Sequence, residues 1–466
     1  MSLSRQPSPG AARFRTVLYL SVVVCYLVLK LSHWPAAATL LSLLSMAAIV
    51  ASLPASGAAA RVLTVLFVVA GTWMLYRSGI GWRGYLGAYG EMAYLLALFS
   101  VLPVLSVPVR LGGYGEAIQA VLSGRVKGVF QLNCLVTILA FACGSFMSLA
   151  AVPIMMTSME PAVDAYPIAD KKRFIAVSAT YGYVLPILWT PVSGVVGVVL
   201  YSLHMDWFTL FPALFGLSLA CLLANWVIFY LFEMRGVPAA AVPPPPPAEA
   251  ADTGASPVAK LLQMVAGIVA LVVCIGLFEQ WLKIGLVTVV TLVALPFAFA
   301  WAVANGNGGR FWREAGQQML IRLPRSADQF AIFLGAGFFG TAMHLSGADH
   351  AANQVFLQMH AVLGTHLFLI LMPLMALVAS YLGVHPLVAI ALLGESLKPE
   401  VLGIAPAQLA FTLIGSSVLT YMEGPFSGTL GLVQSINRVS TFRLALWNAP
   451  YAFGYLVLLA LAIALL

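Results

Sequence analysis

Charge is what this sequence has least of. Lys, Arg, Asp and Glu make up 8% of its 466 residues, against 61% hydrophobic residues and a mean hydropathy of +0.97. A soluble chain of this length could not cover its surface with so few charges, so the soluble classes drop out. Cysteine is scarce as well. The five present, Cys25, Cys134, Cys143, Cys221 and Cys274, all lie in apolar segments and form no C-x-x-C pair. That excludes a disulfide framework and a cysteine zinc site. There is no P-loop, no nucleophile elbow and no His/Asp/Glu cluster, which removes a nucleotide-driven pump acting alone and leaves an enzymatic role without support. No cofactor or metal is expected.

What remains is apolar sequence in long runs. Many windows reach the ~20 apolar residues that cross a bilayer. The chain reads as an all-α polytopic membrane protein whose main solvent is lipid. Its net charge of +7 marks cytoplasmic loops rather than nucleic-acid contact. The first apolar run, TVLYLSVVVCYLVLKLSHW, lacks a small-residue cleavage site and reads as a retained helix, not a signal peptide.

Eleven spans are expected, near 16–33, 35–54, 62–77, 88–108, 174–202, 207–233, 260–278, 282–303, 326–344, 405–437 and 446–466. Regions 129–157 and 366–396 are long, apolar and interrupted by small polar residues. They suit re-entrant hairpins, whose tips persist at membrane depth only when buried in protein or lining a cavity. With both hairpins non-crossing and the N-terminus inside, only Lys30, Arg77, Arg83, Lys283 and Lys398 of the 23 basic residues face out. Making either hairpin a span would invert everything after it and lose that bias. The Pro/Ala-rich stretch 235–260 reads as a cytoplasmic linker, partly polyproline II, between residues 1–34 plus a first repeat (35–234) and a second repeat (261–466).

The repeat is carried by a motif. Within ILWTPVSGVVGVVL, the skeleton Pro-x-Ser-Gly-x-x-Gly places Pro191, Ser193, Gly194 and Gly197; within YMEGPFSGTLGLV it places Pro425, Ser427, Gly428 and Gly431 at an offset of 234. The same offset pairs Phe99 with Phe333 and Gly113 with Gly347. Counting spans gives the halves opposite topology, with the first hairpin entering from the cytoplasm and the second from the other face. Inverted repeats with opposed hairpins and interrupted helices are a signature of alternating-access transporters.

At this point the chain resembles the ion transporter superfamily: divalent-anion/sodium symporters, citrate and arsenite permeases, and the large membrane subunits of TRAP transporters. LPILWTPVSGVV (185–196) is similar to the broken helix of those permeases. SYLGVHPLVAIALLGE (380–395) is similar to the Gly-Ile-His-Pro region of TRAP membrane subunits. The resemblance implies eleven spans plus two hairpins, an elevator motion of a transport domain against a scaffold, and a homodimer. The tips CGSFMS (143–148) and ASYLGVHP (379–386) carry no Asn, where the family often has Ser-Asn-Thr, and Ser193 and Ser427 stand where the family has Asn.

Candidate site residues follow from the breaks. Pro191 and Pro425 interrupt the hydrogen-bond ladder, and Gly194, Gly424 and Gly428 admit unusual backbone geometry. The helix N-termini beyond each break suit an anion. Thr190, Ser193 and Ser427 add hydroxyls there, and Ser145 and Ser148 stand at the first tip with His385 at the second. Ser416, Ser417 and Thr420 share a helix face, lining a cavity or easing helix packing. Glu423 is a carboxylate inside an apolar span, at an insertion cost of roughly 2.5–3.5 kcal/mol. It is either a proton- or cation-coupling group or a protonated structural carboxylate, and its repeat partner is Trp189. Glu395, Asp349, His344 and His350 read as solvated interfacial groups. The expected function is a secondary transporter of the inner membrane for a small, anionic solute, coupled to H+ or Na+; the alternatives are a cation/proton antiporter on the same fold and a non-transport membrane protein, lipid-handling or enzymatic.

Overall fold

The computed structural model describes residues 9–126, 128–234 and 256–466. All regular structure among them is helical, so the chain is an all-α polytopic membrane protein. Helices begin where the sequence supplies a start. Pro35, Pro257, Pro386 and Pro406 open first turns, where a missing N–H costs nothing. Ser193, Ser256, Ser427 and Ser440 each accept a hydrogen bond from the backbone N–H three residues on. Most of the 235–260 linker lies outside the described residues; its end is helical from Pro257.

Ten helices among the described residues are long and apolar enough to cross a membrane, against eleven expected spans. Eight coincide with expected spans. The other two are Val129–Met147 and Ala348–Tyr381, which contain the first arms of the two expected hairpins. The segments 174–202 and 405–437 do not qualify, because each is split in two, and 326–344 forms the continuous helix Ala327–Ser346, which is not among the ten. Lys171–Val184 and Gly194–Ser202 flank the first break, Pro406–Glu423 and Gly428–Asn437 the second. Ala348–Tyr381 is itself two helices joined at Gly364, whose φ of 73° ends the first.

Helix boundaries repeat with the sequence. The starts at Tyr114 and Ala348, Gly194 and Gly428, Trp207 and Thr441 are each 234 residues apart, as are the ends at Met147 and Tyr381. Gly113 (φ 69°) and Gly347 (φ 74°) precede the first of these pairs, so even the left-handed turn is duplicated.

Both expected hairpins fold back on themselves. In the first, Val129–Met147 turns through the 3-10 segment Ser148–Ala150 into Ala151–Asp164. The Tyr166 hydroxyl then donates to the Val126 carbonyl at 2.8 Å, tying the two ends of the hairpin together. In the second, the helix ending at Tyr381 turns through Gly383 (φ 96°) into Pro386–Ser396. The open end of the first hairpin shares a cavity wall with Phe229 and Glu233. The second arm of the other hairpin ends beside Ser202, 3.6 Å from where a Cβ on Gly394 would stand. Ser202 and Glu233 flank opposite ends of the helix Trp207–Glu233, ~40 Å long at 1.5 Å per residue. The hairpins therefore open at opposite ends of one helix.

The described ion pairs respect the same division. Arg110–Glu314 (3.4 Å), Lys171–Asp164 (2.9 Å) and Arg173–Glu233 each join two residues that the charge count assigns to the inner face. Asp349 pairs with His344 and Lys398, both at 3.0 Å, on the other. Asp349 is 3% exposed, so it is a buried tie between the second hairpin's end and the preceding helix, not the solvated group expected.

Replacing Tyr166 with Phe leaves the buried Val126 carbonyl without its partner and is expected to cost about 1–2 kcal/mol. Thermal unfolding in detergent measures it; a variant as stable as the parent would show that this bond does not hold the hairpin closed.

Candidate functional site

At each break the ladder fails, and the freed carbonyls find side-chain partners. At the first, the Trp189 carbonyl accepts from the Trp207 indole N–H at 2.8 Å. The Thr190 hydroxyl donates to the Ser145 carbonyl at 2.6 Å, joining the break to the first hairpin. At the second, the Ser427 hydroxyl donates to the Tyr421 carbonyl at 3.1 Å, and the Asn448 amide donates to the Met422 carbonyl at 2.9 Å. Ser193 and Ser427 also cap the helices that resume beyond, accepting from Val196 N–H (3.5 Å) and Leu430 N–H (3.2 Å). Water is absent at membrane depth, so each partner replaces a hydrogen bond that nothing else would supply.

Glycine lets the parts approach. A Cβ on Gly194 would stand 2.5 Å from Phe99 Cζ, and one on Gly424 would overlap Ser380 Oγ at the second tip. Gly428 faces Leu149 of the first tip, 3.3 Å from the position of a Cβ. Each break is thus packed by a hairpin tip, and the first tip reaches both breaks.

A cavity of about 50 Å3 lies where these parts converge. The first tip contributes Gly144 and Leu149, the first break Thr190, Ser193 and Gly194, the second tip His385 and the second helix Tyr421. Phe99 and Phe333 also line it, with ring centroids 5.5 Å apart. They stand 234 residues apart in the sequence and meet in space. Ile187 and Tyr421, a second equivalent pair, line the same space. The space is small, and water fits in it.

The remaining expected residues fall in different places. The Ser145 hydroxyl donates to Phe141 of its own helix at 2.8 Å; only its carbonyl serves the break. Ser148 lies in the 3-10 turn, and its side chain is outside the described residues. Ser416, Ser417 and Thr420 are fully buried and bond back to Thr412, Ile414 and Ser417 of their own helix. They do not border the cavity. Pro191 and Pro425 sit in the buried turns before Ser193 and Ser427. His385 caps Pro386–Ser396, its Nδ1 accepting from Leu387 N–H at 3.3 Å, which makes that nitrogen the acceptor and leaves the ring edge to the cavity.

Glu423 ends the helix before the second break. It is 7% exposed, and its Oε1 has no hydrogen-bond partner. Its equivalent Trp189 is packed instead among Phe141, Phe211 and Phe215. Sequence reasoning missed Tyr421 and Gln329 as cavity residues; a side chain's direction around a break leaves no periodic trace. It also placed Glu395 at a solvated interface, whereas the residue is partly buried and its carboxylate fills the space a Cβ on Gly340 would occupy.

Two broken helices and two hairpin tips stand around one small cavity in this all-α polytopic membrane fold. No protein-family model and no curated protein matches the chain. Among solved structures it is similar to the YdaH transporter of Alcanivorax borkumensis, whose crystal structure reveals an unusual topology, with a TM-score of 0.61 and 14% identity over 86% of this chain and 98% of that one. At that identity the likeness is one of fold.

Gly194→Ala is expected to destabilise the protein by about 1–3 kcal/mol through overlap with Phe99. Phe99→Leu should recover part of that loss. Denaturation of the two single variants and the double variant checks it, and strictly additive effects would refute the contact.

Proposed function

We propose that this chain is a secondary active transporter that moves a small anionic solute across an inner membrane by alternating access. One observation carries the reading: the first break, both hairpin tips and Tyr421 of the second broken helix line a single cavity, and the two hairpins open at opposite ends of one helix. In this reading 129–157 and 366–396 are re-entrant, the halves are inverted repeats, and the N-terminus and linker are cytoplasmic. The helix N-termini at Gly194 and Gly428 would receive the anion, with Ser193, Ser427 and Thr190 beside it. A 50 Å3 cavity is then a contracted state that must open to load. An elevator motion and homodimerisation through scaffold helices belong to the same reading.

Glu423 is the coupling group in this proposal. Its buried, unpartnered oxygen is the observation that also supports a second reading, a cation/proton antiporter on the same frame. The two are separated by counterflow in proteoliposomes with radiolabelled carboxylates, oxyanions and cations. Exchange of an anion supports the first, exchange of cations alone the second, and failure across the panel with folded protein refutes both.

Glu423→Gln holds the side chain in the neutral form. Transport is expected to keep a measurable rate and lose its pH dependence; unchanged pH dependence at the parent rate would remove Glu423 from coupling. For topology, cysteines replacing the exposed Asp164 and Glu400 in a background without the five native cysteines should react with an impermeant maleimide from opposite sides. Labelling of both from one side would overturn the inverted arrangement.

A further inference from the structure

A cavity of about 790 Å3, far larger than the central one, lies where helix ends converge. The helices Pro9–Ser32, Gly194–Ser202 and Pro257–Leu282 end at it, and those starting at Trp207 and Leu286 begin there. Lys30 and Lys283 border it, at the face to which the charge count assigns both. Asp206 and Glu279 border it too, with His204 and Gln280. Two cations and two carboxylates thus surround one space, yet none of the described ion pairs joins them. The cavity shares no lining residue with the central one.

Glu279 is the group that asks for a partner. It is 5% exposed, and its Oε1 accepts from the Trp207 backbone N–H at 3.4 Å, while its Oε2 has no hydrogen-bond partner. A buried carboxylate oxygen without a donor is costly, and the adjoining cavity is where a donor can come from. Neither lysine supplies it. The Lys30 ammonium, half-buried, stands 5.3 Å from the Tyr201 ring centre, and Lys283 is an exposed helix cap with a φ of 53°. The charges are therefore graded, with a buried carboxylate, a half-buried ammonium and an exposed one. Trp34 and Trp281, both exposed, follow Lys30 and Gln280 closely in the chain, as aromatic residues do at a membrane–water interface.

We infer that this cavity binds a zwitterion made of a primary ammonium and a phosphate, the headgroup chemistry of an aminophospholipid. The ammonium N–H donates to the Glu279 carboxylate, and the phosphate oxygens accept from Lys30 and Lys283. The order of groups fits the order of burial. The ammonium is the free end of such a headgroup and enters first, to the buried carboxylate. The phosphate lies nearer the acyl chains and meets the more exposed lysines. The volume falls within the ~300–1,000 Å3 usual for small-molecule sites. A choline headgroup has no N–H to give Glu279, and a glycerol headgroup brings no cation. Free phosphoethanolamine carries the same charges without the chains. The site does not rest on the transport reading.

The test is native mass spectrometry of the full chain in detergent. The chain is titrated with phosphatidylethanolamine, phosphatidylglycerol and phosphatidylcholine of identical acyl chains, and separately with free phosphoethanolamine. The ethanolamine lipid should bind tightest. Glu279→Gln, whose amide oxygen can still accept from Trp207, should weaken that binding on the order of tenfold and leave the other two lipids unchanged. Lys283→Gln and Lys30→Gln should each weaken it as well, and they decide the matter if Glu279→Gln does not fold. Binding of the ethanolamine lipid alone makes a membrane lipid the ligand. Binding of free phosphoethanolamine, lost in the same variants, supports the site with a soluble ligand as its source. Equal affinity for all three lipids, or ethanolamine binding unmoved by the variants, overturns the proposal, as does binding of neither form.

Discussion

The rest of the structure depends on one constraint: a backbone break at membrane depth has no water to satisfy it. Each unpaired peptide group there costs several kcal/mol. Pro191 and Pro425 create two such breaks, and the fold answers them with side-chain donors from the breaks themselves and from the helices that follow. The Trp207 indole, the Asn448 amide and the Thr190 and Ser427 hydroxyls each take a carbonyl. Bringing those donors in requires close packing, and close packing requires the glycines at 194, 424 and 428. The hairpins are part of this same answer, since their tips are the walls against which the breaks close.

Two halves built on one plan keep backbone geometry and vary side-chain chemistry. Left-handed glycines, serine caps and helix starts recur at a fixed offset. Phe99 meets Phe333. The donors do not recur: Trp207 serves one break and Asn448 the other, from non-equivalent positions. Nor does the charge, since Trp189 sits in an aromatic cluster where its counterpart Glu423 is a buried acid.

The polar groups outside the central cavity are arranged by face. The described ion pairs never join the two sides assigned from the positive charges. The second hairpin carries the Asp349–Lys398 tie just past its second arm.

Composition and the repeated motif by themselves determined the membrane class and the positions of both breaks. Apolar run length and proline placement are local properties, and a duplicated offset survives in the letters. They did not determine the count of continuous long helices, because a run of apolar residues does not reveal where a ladder splits, as at Gly364. Only the tertiary structure decided which hydroxyls face a cavity. Ser416, Ser417 and Thr420 matched a face pattern yet bond to their own helix, since a buried hydroxyl takes the nearest free carbonyl. It also decided that Asp349 is tied and that Glu395 packs against Gly340. Pairings between residues some 50 to 300 positions apart are set by how helices pack, and no spacing within one helix encodes them.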